Sequence, residues 1–146
     1  MNKNNLNQSL LAAANTANGI HFYGGSSKHS EFISYRQLLS RAQAVKASLK
    51  AQNIAPGSQL VLQLQHNSDF LIMFWACLLG QYIPLPLSCA AGADTYIKLE
   101  NVWGQCESPR LVADQQQLDK MICRLLSQGK TALATQFKAT ALVFEQ

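Results

Sequence analysis

Phe70 to Leu79 is a run of ten consecutive apolar residues, Phe-Leu-Ile-Met-Phe-Trp-Ala-Cys-Leu-Leu. It is about half the ~20 residues that a helix needs to cross a bilayer. Its bounds are those of a helix: Asn67-Ser68-Asp69 offers capping side chains in front, and Gly80 is a natural stop behind. A helix apolar on every side must be enclosed by other layers of the fold. The flanking sequence supplies such layers. Leu60-Val61-Leu62-Gln63-Leu64 reads as a buried strand before it, and Tyr82-Ile83-Pro84-Leu85-Pro86-Leu87 as a short β segment after it. Because Pro84 and Pro86 cannot donate to a ladder, that segment belongs at a strand end or a sheet edge.

The alternation continues. After a loop from Ser88 to Ala93, Asp94 caps a helix carrying Tyr96, Ile97, Leu99, Val102 and Trp103, and Pro109 to Ala113 follows as a strand. Asp114 to Gln117 caps the next helix in the Asp-x-x-Gln form, with Leu118, Met121, Ile122, Leu125 and Leu126 on its apolar face. Gly129 to Ala139 carries no assignable signal, and Thr140 to Phe144 reads as a last strand. Strand and helix therefore alternate from Leu60 onward, which requires right-handed crossovers and a mainly parallel sheet.

The sequence before Leu60 has a different rhythm. Leu6, Leu10, Leu11 and Ala14 form one short helical stripe in an Asn-, Gln- and Ala-rich arm, residues 1–18. Ile20 to Tyr23 and Glu31 to Ser34 are β runs joined by the turn-forming residues Gly24 to Ser30, a small antiparallel hairpin. Ser34-Tyr35-Arg36-Gln37 has the form of a capping box and starts a helix with Tyr35, Leu38, Leu39, Ala42, Val45 and Leu49 on one face, ending near Asn53. The fold class expected is α/β, a mainly parallel sheet flanked by helices with an N-terminal hairpin. At 146 residues, residues 19–146 form one unit with one core and leave no room for a multidomain machine.

Few residues suggest chemistry. Gly24-Gly25-Ser26-Ser27-Lys28 has the residue types of a phosphate loop but not the spacing, and a second β run follows it where a helix should. His21, His29 and His66 stand alone, outside any nucleophile motif. Asp69, Asp94, Asp114 and Asp119 occupy helix starts or surfaces, where capping accounts for them. Twelve Lys and Arg against eight Asp and Glu give +4. The basic residues are scattered, and Arg36, Arg41, Lys46 and Lys50 wind around their helix as a solvated surface, not a nucleic-acid footprint. Trp75 and Trp103 lie in apolar helices and read as core. Cys77, Cys89, Cys106 and Cys123 form no Cys-x-x-Cys pair and read as buried reduced thiols. The Met-Asn-Lys-Asn-Asn-Leu start lacks the pattern of a secretory signal, so the expected location is the cytoplasm, away from membranes.

The stretch from Ile33 to Leu87 resembles the N-terminal part of the adenylate-forming superfamily, which comprises acyl-CoA synthetases, fatty acyl-AMP ligases and nonribosomal peptide synthetase adenylation domains. Ile33 to Leu38 is similar to its (L/F)-(T/S)-Y-x-(E/Q)-L helix start. Leu49 through Val61 is similar to L-x-x-x-G-(V/I)-x-x-G-D-x-V, and Asn67 to Leu85 to N-(S/C)-x-(E/D)-F followed by G-x-x-x-(V/I)-P-L. Lys98 to Trp103 and Ser108 to Asp114 are similar to a variant in modules of polyketide and peptide assembly lines. Asn53, Ser58 and Gln81 depart from the family pattern, each at a turn or cap that tolerates the change.

The resemblance places the family's phosphate loop beyond the strand matched by Thr140 to Phe144, and the sequence stops at Glu145-Gln146. The expectation is a truncated, non-catalytic structural or interaction module with no catalytic, cofactor-binding or metal residues and no cofactor. The alternative is a fragment of an active carboxylate-adenylating ligase whose catalytic motifs lie on other sequence. Such a segment should expose an apolar patch or a strand edge and associate with itself or with a neighbouring megasynthase domain.

Overall fold

The computed structural model describes residues 5–24, 30–89 and 92–145. A hairpin of β1 (Gly19–Tyr23) and β2 (Ser30–Ser34) is antiparallel, with His21 opposite Phe32. The second sheet holds β3 (Gln59–Gln63), β4 (Ile83–Pro86), β5 (Arg110–Ala113) and β6 (Leu142–Val143), all parallel, in the order β4-β3-β5-β6. The helices are α1 (Leu6–Ala13), α2 (Tyr35–Ala51), α3 (Asn67–Gly80), α4 (Ala93–Gln105), α5 (Gln115–Ser127) and α6 (Thr131–Thr140). The expected α/β class with a hairpin and a parallel sheet is what forms.

Alternation along β3 sorts its side chains between two layers. Leu60, Leu62 and Leu64 pack with Leu49 of α2 and with Met73 and Cys77 of α3. Val61 packs on the other face with Leu99, Trp103, Leu118, Met121 and Phe137 of α4, α5 and α6. The Trp103 and Phe137 rings meet edge to face at 4.6 Å. A third cluster, Leu10, Ile33, Leu38 and Ile72, ties α1 and the hairpin to the α2–α3 layer.

Local chemistry explains the element ends. The Ser34 side chain accepts from the Gln37 N–H while the Gln37 side chain accepts from the Ser34 N–H, a complete capping box at α2. At the far end Asn53 turns left-handed at φ 59, and the Ile54 N–H reaches the Leu49 carbonyl, closing a Schellman motif. Along β4 the Ile83 and Leu87 N–H groups donate to Ser58 and Leu62 of the β3 side. Pro84 and Pro86 therefore occupy the alternate positions that face away from β3, and β4 is the sheet edge that the prolines required.

Several expectations need correction. Helix α3 starts at Asn67 behind His66, which makes no side-chain cap, so Asn67-Ser68-Asp69 is its first turn and not its cap. Its stop is Gln81 at φ 60, not Gly80. The glycine is needed because a Cβ there would lie 2.3 Å from the Tyr82 ring. Enclosure of α3 is one-sided: Ile72, Met73, Ala76 and Cys77 are buried, while Phe70, Phe74, Trp75 and Leu78 are only half-buried. Gly92, not Asp94, precedes α4, again without a side-chain cap. The unassigned stretch after Gly129 forms α6, and β6 shrinks to two residues. Leu6, Leu11, Ile97 and Leu126, expected on apolar faces, are exposed, because among the described residues no neighbouring element covers that part of each stripe.

Candidate functional site

An open parallel sheet binds its ligands at the carboxyl ends of its strands, at the point where the strand order reverses. From β3 the chain passes to β4 on one side and then to β5 on the other, so that point lies between β3 and β5. Gln65 follows β3 there, and Asp114 follows β5. Asp114 caps α5 by accepting from the Gln117 N–H through Oδ1 at 2.9 Å, while its Oδ2 accepts from the Gln65 N–H at 3.2 Å. The Gln117 side chain, expected to complete a reciprocal box, instead donates to Gln65 Oε1 at 3.4 Å. The crevice is bridged by the protein's own groups.

The same edge continues to β4. Gln63, the last residue of β3, is only 2% exposed, and its Nε2 donates to the Ser88 carbonyl at 3.1 Å. Its Oε1 accepts from the Cys89 thiol at 3.7 Å. Burial first, and then the Asp114 carboxylate, push the Cys89 thiol up to about 11, and burial alone pushes Cys77 to about 12. Both are thiols at neutral pH, not nucleophiles. Amide groups, a protonated thiol and one carboxylate can brace loops, but they carry no permanent positive charge to hold a triphosphate.

The fold is shared with known proteins. Over 86 residues the chain is 35% identical to the nonribosomal peptide synthetase atqA of Aspergillus terreus, a match covering 55% of this chain and 9% of that protein. The structure of McyG A-PCP complexed with phenylalanyl-adenylate superposes with a TM-score of 0.73 at 28% identity, over 85% of this chain and 23% of that one. Its structural neighbours include the adenylation domain of a keto acid-selecting nonribosomal peptide synthetase module, at 26% identity and a TM-score of 0.72. The same fold recurs, at 22% identity and a TM-score of 0.72, in fatty acyl-adenylate ligases from E. coli and L. pneumophila, covering 96% of this chain and 27% of theirs. No protein-family model matches. The chain spans about a tenth of the length of this curated relative and about a quarter of these solved ones.

The departures from the adenylation-domain pattern have visible structural roles. Asn53 and Gln81 both take the left-handed backbone, and Ser58 Oγ donates to the Ala55 carbonyl at 2.6 Å in the turn before β3.

No residue was expected to be catalytic, to bind a cofactor or to ligate a metal. Among the described residues no three His, Cys, Asp or Glu side chains gather as a metal site. His21 is exposed, its ring 4.7 Å from Phe32, and His66 precedes α3. Of the phosphate-loop look-alike only Gly24 is described; Lys28 and His29 lie outside the described residues, as do Ala90 and Ala91 of the Ser88 to Ala93 loop. Arg36, Arg41, Lys46 and Lys50 are solvated as expected, Arg36 donating to the Ala14 carbonyl and Arg41 pairing with Glu31 at 3.8 Å. Of the four cysteines only Cys77 is buried; Cys89 and Cys106 are partly exposed and Cys123 is exposed, which corrects the reading of all four as interior. Trp103 is core and Trp75 only half-buried. Among the described residues no helix is long and apolar enough to cross a membrane. The Gln63–Cys89 and Gln65–Asp114–Gln117 links were not foreseen. The one available signal was amide side chains alternating with leucine in a buried strand, Leu62-Gln63-Leu64-Gln65.

Proposed function

We propose that this chain is a non-catalytic module related to adenylation domains, acting as a structural or protein-interaction unit in a polyketide or nonribosomal peptide assembly line. The observation that carries this reading is the crevice between β3 and β5, where Gln65, Asp114 and Gln117 satisfy one another in the position that a ligand would need. Adenylation requires cationic and N–H groups around a triphosphate, and the side chains at this edge are already committed to bracing the sheet.

Association is the second half of the proposal. Strand β6 pairs only with β5 among the described residues, and Val143 on it is 41% exposed. Beside it an apolar groove of about 390 Å³ is lined by Val45, Ile72 and Phe144, with Arg41 and Glu145 at its rim. Such an edge favours self-association or docking of a neighbouring megasynthase domain. Light scattering across a concentration series, repeated with the adjoining domains added, tests this half. Concentration-dependent growth in mass, or a complex with a neighbour, supports it; a strict monomer under both conditions overturns it.

One observation favours a second reading. The match to McyG A-PCP covers 85% of this chain yet only 23% of that one, as it would for the first portion of a complete ligase. On that reading, co-expression with the remaining part of an adenylation domain restores ATP-dependent activation of a carboxylic acid.

A further inference from the structure

The parallel sheet has two outer strands, β4 and β6, and their edges are chemically unlike. On β4 the Ile83 and Leu87 N–H groups point inward to the β3 side, so the outward positions fall to Pro84 and Pro86, which have no N–H to give. A strand arriving there meets carbonyls without donors, and that edge is closed to pairing. Strand β6 is the reverse case. The Phe144 N–H points inward and donates to the Ala113 carbonyl at 2.9 Å, so alternation turns the N–H and C=O of Val143 outward, donor and acceptor both present. Among the described residues this is the edge that can take another strand.

The surroundings of β6 select the occupant. Two grooves meet at Phe144, of about 390 and 290 Å³, and the smaller is bounded on the α2 side by exposed Ala44 and Ser48, one turn apart and short enough for another helix to approach. The larger carries one cation and one anion, Arg41 and Glu145. Arg41 is tied only weakly to Glu31, at 3.8 Å between two half-exposed side chains. A rim with one charge of each sign is complementary to its own copy across a twofold axis, where Arg41 of each chain meets Glu145 of the other. The same axis through Val143 sets β6 antiparallel to its copy, with Val143 donating to and accepting from the partner's Val143. Resting on the association half of the function proposed above, we propose that the occupant is a second copy of this chain, joined β6 to β6 so that the two sheets become one. Both outer strands of the joined sheet are then the proline-closed β4, and assembly stops at two.

The test is sedimentation equilibrium of the chain over a concentration series, in which the mass should rise to that of two copies and level off. Val143→Pro gives β6 the missing donor of β4. Because that N–H points away from β5, the variant should keep its circular dichroism and urea midpoint and sediment as a monomer. The charge variants do not depend on the proline variant folding. Arg41→Glu and Glu145→Arg should each weaken the dimer about tenfold, since each sets like charges together twice across the axis. Mixed in equal amounts, these two variants should recover the affinity of the wild type, because both contacts then join opposite charges. A dimer unchanged in Val143→Pro, no recovery in the mixture, or a mass climbing past two copies overturns this proposal and leaves the wider reading of association standing. A chain that is monomeric alone but binds an adjoining domain does the same. A strict monomer with and without adjoining domains overturns both.

Discussion

Replacing Gln81 by Gly should stabilise this fold and replacing Gly57 by Ala should weaken it, by similar amounts. Gln81 holds φ 60 and ψ 30 after α3, and Gly57 holds φ 85 in the turn before β3. A left-handed backbone costs an L-residue about 1–2 kcal/mol. Glycine escapes that cost but loses roughly 0.5–1 kcal/mol more conformational entropy on folding. The difference leaves a gain of about 0.5–1 kcal/mol for Gln81→Gly and an equal loss for Gly57→Ala. The second value is free of steric terms, since a Cβ at Gly57 meets nothing within 4 Å.

Gly80→Ala supplies the contrast. Gly80 lies inside the helix, where alanine would gain about 1 kcal/mol by propensity alone. Its Cβ, however, would sit 2.3 Å from Cε2 and 2.7 Å from Cδ2 of the buried Tyr82 ring, whose hydroxyl donates to the Ile54 carbonyl at 3.2 Å. Displacing that ring should cost about 1–3 kcal/mol and outweigh the propensity gain. Urea unfolding followed by circular dichroism, at constant m-value, should rank Gln81→Gly above the wild type, then Gly57→Ala, with Gly80→Ala lowest. At a slope of about 2–3 kcal/mol/M the first two should move the midpoint by roughly 0.3 M in opposite directions. A loss from Gln81→Gly, or a gain from Gly80→Ala, would refute the reasoning.

Phe137→Ala empties a fully buried site against Trp103 and should cost about 3–5 kcal/mol, seen as a lowered urea midpoint with a changed tryptophan emission. Tyr82→Phe leaves the buried Ile54 carbonyl without its donor and should cost about 1–2 kcal/mol in the same assay. Thiol labelling at pH 8 should modify exposed Cys123 first. Cys89, raised to about 11, is thiolate in about one molecule in a thousand at that pH, so its rate should climb about tenfold per pH unit up to its pKa, and a plateau by pH 9 would contradict the assignment.

What could be read from the sequence was what depends on near neighbours. The Ser34–Gln37 box spans three residues and forms as written, and Pro84 and Pro86 exclude a central strand by their own chemistry. Helix α6 escaped notice because Lys130 gives it no side-chain cap and only Ala134 and Phe137 are buried. The stripes containing Ile97 and Leu126 run wider than the surface that meets them, and only tertiary contact sets that width. The braced edge was least legible, since its partners lie 25, 49 and 52 positions apart and neutral amides announce no partner. The resemblance to adenylation domains was readable because its motifs are turns, caps and a proline-bearing edge.

The central claim is that this chain, by itself, does not activate a carboxylic acid. ATP–pyrophosphate exchange tests it directly, with the chain alone, magnesium and a panel of amino, keto and fatty acids. The account predicts exchange no faster than the protein-free blank with every acid, unchanged in Asp114→Asn. Robust acid-dependent exchange by the isolated chain would contradict it.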